Sequence, residues 1–233
     1  MRTPLWLALV LLVGAARGES ASTYRAMAPV DRYLIADRNA EIALARSAAP
    51  PSISTEATVL VLGRHGYETA VKGSNGFVCF VERSWMAYFS DSEFWNPKTR
   101  APNCFNPPAA ASVLPVYVKR TEWVLAGLDR AQLIARARAA FEAHRIRTPE
   151  AGSFSFMLSR QGYLGDQAGG PWLPHVMFFV APRQVVNWAA GLEASPVVGQ
   201  PGDPFEPTVL FIPVRRWSDG SPAPLAADLR HKM

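Results

Sequence analysis

The 233-residue chain holds 24 Lys and Arg against 19 Asp and Glu, and 49% of its residues are hydrophobic. Such a chain can bury one sizeable core, and no break in composition asks for a second domain. Its formal net charge of +5 falls to +3 once an N-terminal leader carrying Arg2 and Arg17 is set aside, so nucleic acid is not implied as a partner.

The leader is MRTPLWLALVLLVGAARGES, with Arg2 ahead of an apolar run over 5–13 and small residues at Ala16 and Gly18. This is the pattern of a secretory signal, and the run is about half the length a spanning helix needs; an uncleaved amphipathic or membrane anchor is the alternative. The expected organisation is a signal peptide at 1–18 and a single exported globular domain at 19–233, periplasmic or secreted, with no transmembrane span after cleavage. Cys79 and Cys104 are the two cysteines, and in an oxidising compartment they are expected to pair. In the chain-entropy picture, closing that loop is worth roughly 3–4 kcal/mol. Two cysteines without a CxxC or paired histidines do not supply the four ligands of a zinc site, so no metal is expected.

Residues 27–49 read as a helix, its body over 31–48, with Asp31 as N-cap and Pro50-Pro51 as the stop. Residues 57–83, ATVLVLGRHGYETAVKGSNGFVCFVER, read as three strands. Gly63-Arg64-His65-Gly66 turns the first hairpin and Gly73-Ser74-Asn75-Gly76 the second, which makes a meander. The third strand, apolar on both faces, is expected to lie deepest. Residues 84–111 read as a long proline-rich loop carrying Trp85, Tyr88, Phe89, Phe94, Trp95 and Phe105, which the disulfide would staple to the sheet. These aromatics read as core plugs, or alternatively as a stacking platform that includes Trp95.

Residues 116–127 read two ways, VYVKR alternating like a strand and RTEWVLAG suiting a helical turn, with a helix after Pro115 the preferred reading. Another helix is expected over 129–145 with Asp129 and Gln132 at capping-box spacing. Leu133, Ala137, Ala140, Phe141 and His144 line the face of this second helix. Its Arg130, Arg136, Arg138 and Arg145, with Arg147, form a basic patch that a solvated helix face would also show. FSFMLS (154–159), HVMFFV (175–180) and TVLFIPV (208–214) read as strands, Pro213 marking an end or an edge. A short helix is expected from Pro182 to Trp188, and the tail after Trp217 is expected to turn and fray. The fold class is therefore α+β: a single domain with an antiparallel sheet, formed by the N-terminal meander and the C-terminal strands, covered by two or more helices.

The candidate site is the glycine-rich connection RQGYLGDQAGGPWLPH (160–175), where Gly162, Gly165, Gly169 and Gly170 make the chain adaptable. His175 can act as a general base oriented by Asp166, with Arg160 on an anion, because imidazole titrates near neutrality and needs an acceptor to fix its tautomer. Tyr163, Gln167 and Trp172 add hydrogen bonding and stacking for a ligand. The structural alternative is that the glycines serve turns, Trp172 packs and His175 bonds to backbone. GxSxG, SxxK, HExxH and GxxxxGK[ST] are all missing, and no cofactor is implied. The leading functional expectation is a non-enzymatic exported domain that binds a small molecule, a cell-envelope component or a protein. The alternative is an exported hydrolase using His175.

The succession RSAAPPSI, EATVLVL and KGSNGFVC, followed by the proline-rich loop, resembles a group of small exported bacterial proteins without assigned activity. They share an Ala-Ala-Pro stretch, an Ala-Thr-Val strand and a Gly-x-Asn-Gly-aromatic-x-Cys hairpin. The resemblance covers 45–108, implies export and the hairpin, and carries over no catalytic residue.

Overall fold

The computed structural model describes residues 24–166, 172–199 and 202–224. The expected leader, Gln167, Gly169, Gly170 and the tail from 225 lie outside the described residues. The fold is α+β, with helices on an eight-stranded sheet ordered β2-β1-β3-β4-β5-β6-β8-β7. The strands are β1 Thr58–Gly63, β2 Gly66–Val71, β3 Val78–Glu82, β4 Ala101–Phe105, β5 Phe154–Met157, β6 His175–Val180, β7 Val198–Gly199 and β8 Thr208–Pro213. The helices are α1 Arg38–Arg46, α2 Pro51–Ser54, α3 Pro107–Ser112, α4 Leu114–Leu125 and α5 Arg130–Glu142, with a 3-10 helix at Pro182–Trp188. Among the described residues, no helix is long and apolar enough to cross a membrane.

The first helix starts later than its pattern suggests. Asp37, and not Asp31, caps α1, its carboxylate accepting from the amides of Asn39 and Ala40. The chain before it makes only a 3-10 turn, Val30–Arg32, which closes at Tyr33. Tyr33 is fully buried, its hydroxyl donates to the Trp95 carbonyl, and its own carbonyl accepts from Arg83 Nε.

The expected hairpin between β1 and β2 forms, but the second does not, and the three strands are not a meander. β3 lies on the far side of β1 and runs parallel to it, so the sheet is mixed. The Gly-Ser-Asn-Gly segment is a crossover over the entry to β1. Ser74 and Asn75 both donate their amides to the Glu56 carbonyl, and Asn75 Nδ2 donates to the Ile53 carbonyl. At Gly73 a Cβ would stand 2.3 Å from the backbone of residues 56–58, a distance only glycine permits.

The expected loop 84–111 likewise contains secondary structure, β4 and α3 among it. β4 is buried at every position. Pro102 is tolerated inside it because the β5 side pairs at Cys104 and at the Arg100–Tyr163 bridge and is open between them. Cys79 and Cys104 are bonded and face each other across β3 and β4, their Cα atoms 3.9 Å apart. The cross-link thus joins neighbouring strands instead of stapling a loop to the sheet.

Period-2 alternation splits the core between the faces. Val59, Val81 and the disulfide pack with Ala45, Ala48 and Ala49 of the α1 side. Phe80, Phe105 and Phe179 meet Tyr117 of α4 on the other. The α5 capping box is present at Asp129 and Gln132. Its buried face is Leu133, Ala137 and Ala140, whereas Phe141 is 39% exposed and His144, beyond the helix end at Glu142, is exposed. The tail does not fray at once: Trp217 is buried, and the turn that follows is tied to β5's exit by Ser218 N to the Leu158 carbonyl.

Candidate functional site

Three elements converge beneath α4. Glu82 ends β3 on the face of Phe80 and so points at the α4 layer. Tyr117 and Arg120, three apart on α4, look back toward it. Met177 of β6 with Val209 and Phe211 of β8 forms the opposite wall, and together these residues line a cavity of about 470 Å³. That is room for a small ligand against walls that are mainly apolar.

Its polar groups are few and specific. Asn103 Nδ2 donates to Glu82 Oε1 at 2.7 Å, yet burial outweighs this bond and the Arg120 charge and pushes the carboxyl up to about 7. Burial likewise pushes the Tyr117 phenol well above its ordinary range. Among the described residues the Tyr117 hydroxyl has no hydrogen-bond partner. Arg120 is fixed from several sides: it donates to the Ala87 carbonyl at 2.8 Å and to Glu206 Oε1 at 3.1 Å, and covers the Phe89 ring at 4.1 Å. Burial lowers the Arg120 pKa and raises that of Glu206, and each opposes the other's shift by its charge. Glu82 can therefore exchange a proton near neutrality, Tyr117 can donate, and the Arg120–Glu206 pair holds the wall in place.

The residues expected to form the site are only partly brought together. Tyr163 and Asp166 do meet: Asp166 takes hydrogen bonds from the hydroxyls of Tyr163 and Tyr24 and from Lys98 Nζ at 2.7 Å. Lys98, followed by the two hydroxyls, holds the Asp166 carboxyl well below the usual carboxylate range. At Gly165 and Asp166 the segment is clamped, since the Asp166 amide donates to Glu93 Oε2 at 2.7 Å and a Cβ on Gly165 would lie 2.4 Å from that oxygen.

His175 belongs elsewhere. Its Nδ1 donates to the Leu173 carbonyl at 2.8 Å, its ring packs on Trp172 and Phe211, and burial lowers its pKa. Among the described residues no hydrogen bond joins Asp166 to His175, so the expected base and orienter do not form a pair. Arg160 faces the C-terminal turn, its Nε 4.0 Å from Asp219 and its guanidinium over Trp217. Trp172 Nε1 is spent on the Ser159 carbonyl. Trp95 is 4% exposed and edge-on to Phe94, which makes it core and not a platform. Gln167 lies outside the described residues. No group of three His, Cys, Asp or Glu among the described residues could hold a metal ion.

The cavity residues left signals in the sequence. Glu82 is the position at which period 2 sets a carboxylate on the inward face after Val78 and Phe80. Arg120 falls in the stripe Val113, Tyr117, Val124 at helical spacing, a charge where the pattern asks for an apolar residue. Glu206, in the turn before β8, left none. No protein-family model, curated protein or solved structure matches the chain.

Proposed function

We propose that the chain is an exported binding domain that holds a small, mainly apolar molecule in the cavity between α4 and the β6–β8 half of the sheet. The observation that carries this reading is the Tyr117 hydroxyl, unpartnered among the described residues, which with Glu82 lines a mainly apolar cavity of about 470 Å³ whose charged pair, Arg120 and Glu206, is bonded to itself. A ligand with one polar group, such as a hydroxyl or an amide, would accept from Tyr117 and donate to Glu82, while its body replaced water against Met177, Val209 and Phe211. Export is supported by the leader pattern and by the Cys79–Cys104 bond, which suits an oxidising compartment.

The test uses the neutral apolar fluorophore N-phenyl-1-naphthylamine. Saturable one-to-one binding is expected, with Met177→Trp, which fills the cavity from one wall, weakening it at least tenfold. Equal binding by a folded Met177→Trp variant would remove the cavity as the site.

A further inference from the structure

A second cleft lies on the other side of α4. It has a volume of about 700 Å³ and runs between α3, α4, α5 and the strap that follows α5. Its floor is apolar, with Pro115, Val116 and Trp123 of α4 and Ile146 of the strap. Around that floor stand four cations from three separate segments: Lys119 of α4, Arg136 of α5, and Arg145 and Arg147 of the strap. No carboxylate lines the cleft. Lys119 has Glu122 as a surface partner at 2.6 Å. Among the described residues the three guanidinium groups have no hydrogen-bond or carboxylate partner.

A basic face on a single helix is what any solvated helix shows. Convergence from three segments onto one apolar floor is different, and the backbone of the strap brings it about. His144 takes a left-handed conformation, φ 53°, which lets the Arg145 amide reach back to the Ala140 carbonyl at 2.8 Å. Such backbone is costly for a residue with a Cβ and persists only where the surroundings hold it. The far end of the strap is held by the Glu150 amide on Ser112 Oγ at 3.0 Å. Arg145 and Arg147 are thereby turned back along the cleft instead of trailing from the helix end.

We infer that this cleft is a second binding site, for an anionic amphiphile whose phosphate or carboxylate head is held by Arg136, Arg145 and Arg147 and whose apolar body lies on Trp123. Guanidinium groups match such heads with paired hydrogen bonds. Calorimetric titration of the full chain with octyl phosphate should show a single site. Arg147→Ala and Arg136→Ala should each weaken it at least tenfold, and both residues are exposed, so their loss leaves the fold intact. Trp123→Ala should weaken octyl phosphate but leave inorganic phosphate unchanged, and Met177→Trp should leave octyl phosphate binding as it was.

Sedimentation with phosphatidylglycerol vesicles separates the two sources of such a head. Co-sedimentation that Arg147→Glu abolishes identifies a bilayer lipid, and its absence beside octyl phosphate binding identifies a free amphiphile. Octyl phosphate binding that is absent, that survives Arg147→Glu, or that is no tighter than inorganic phosphate overturns the inference.

Discussion

At the scale of single residues, Glu82, at the end of a strand, is a carboxylate whose ionisation burial strongly opposes. Its carboxyl, ordinarily near 4.5, is pushed up to about 7 by burial. Between those two values the folded chain binds a proton that the unfolded chain has released. The stability linked to that proton is therefore fully present below about pH 4.5 and lost as pH rises through about 7. A shift of this size corresponds to about 3 kcal/mol. Replacing Glu82 by Gln keeps the shape and the Asn103 contact and removes the titration. Urea unfolding at pH 5 and pH 8 should show the variant gaining on the parent chain by up to about 3 kcal/mol at the higher pH. A gain that is the same at both pH values would mean that Glu82 does not change charge in that window. His175 titrates with the opposite sign: burial lowers its pKa, so its contribution weakens as pH falls. Comparing parent and variant at each pH cancels that term.

At the scale of elements, the left-handed residue that ends α5 offers a separate test. The bond from Arg145 N to the Ala140 carbonyl, with His144 N reaching Phe141, closes the helix as a Schellman turn whose left-handed position is usually glycine. His144→Gly should relieve the Cβ crowding at φ 53° and, after the added freedom of the unfolded chain, raise stability by about 0.5–1 kcal/mol, read as a shift in the thermal midpoint. A loss of stability would mean that the imidazole contributes more to the strap than its backbone costs. Elements such as α5 were legible in the sequence because their signals are local: Asp129 and Gln132 cap from within one turn, and β5, β6 and β8 are apolar runs bounded by Gly or Pro. What escaped the sequence depends on distant partners. The break before α1 falls at Tyr33, whose carbonyl accepts from Arg83, 50 residues away. The crossover after β2 needs the Glu56 carbonyl, which the same Ser-Asn amides could have forgone in a hairpin. β4 was hidden because APNCF carries a proline that is acceptable only where β5 leaves a gap. The cavity under α4 was not legible for the same reason: its polar groups Glu82, Tyr117, Arg120 and Glu206 are spread over more than half the chain, whereas the sequence offers convergent polar groups within one segment only at 160–175.

At the scale of the whole molecule, the sheet is two halves joined by a short seam. Among the described residues β2-β1-β3-β4 and β5-β6-β8-β7 pair through β4 and β5, where Cys104 opposes Phe156 and Phe105 opposes Ser155, and through the Arg100–Tyr163 bridge beside them. The first half carries its own cross-link at Cys79–Cys104. The second has no disulfide, and Arg120 reaches from α4 to Glu206 in the turn before β8. Both side chains are nearly buried, at 6% and 4% exposure, so removing one charge leaves the other stranded out of water, at a cost of about 3–5 kcal/mol. In Arg120→Met the stranded charge is Glu206, and its turn can regain solvent by lifting away with β8, whereas β3 and β4 remain paired and cross-linked. Hydrogen exchange should then show the amides of 203–211 opening at least a hundredfold more often in the variant, with those of 78–82 and 101–105 changed far less. The double change Arg120→Met with Glu206→Met leaves no stranded charge, so it should restore much of that protection. Equal loss of protection in both halves of the single variant would show that the seam transmits the defect and that the sheet opens as one unit. Because Arg120 and Glu206 also line the cavity under α4, uneven opening would mean that the wall formed by β8 is the one able to yield when a ligand enters.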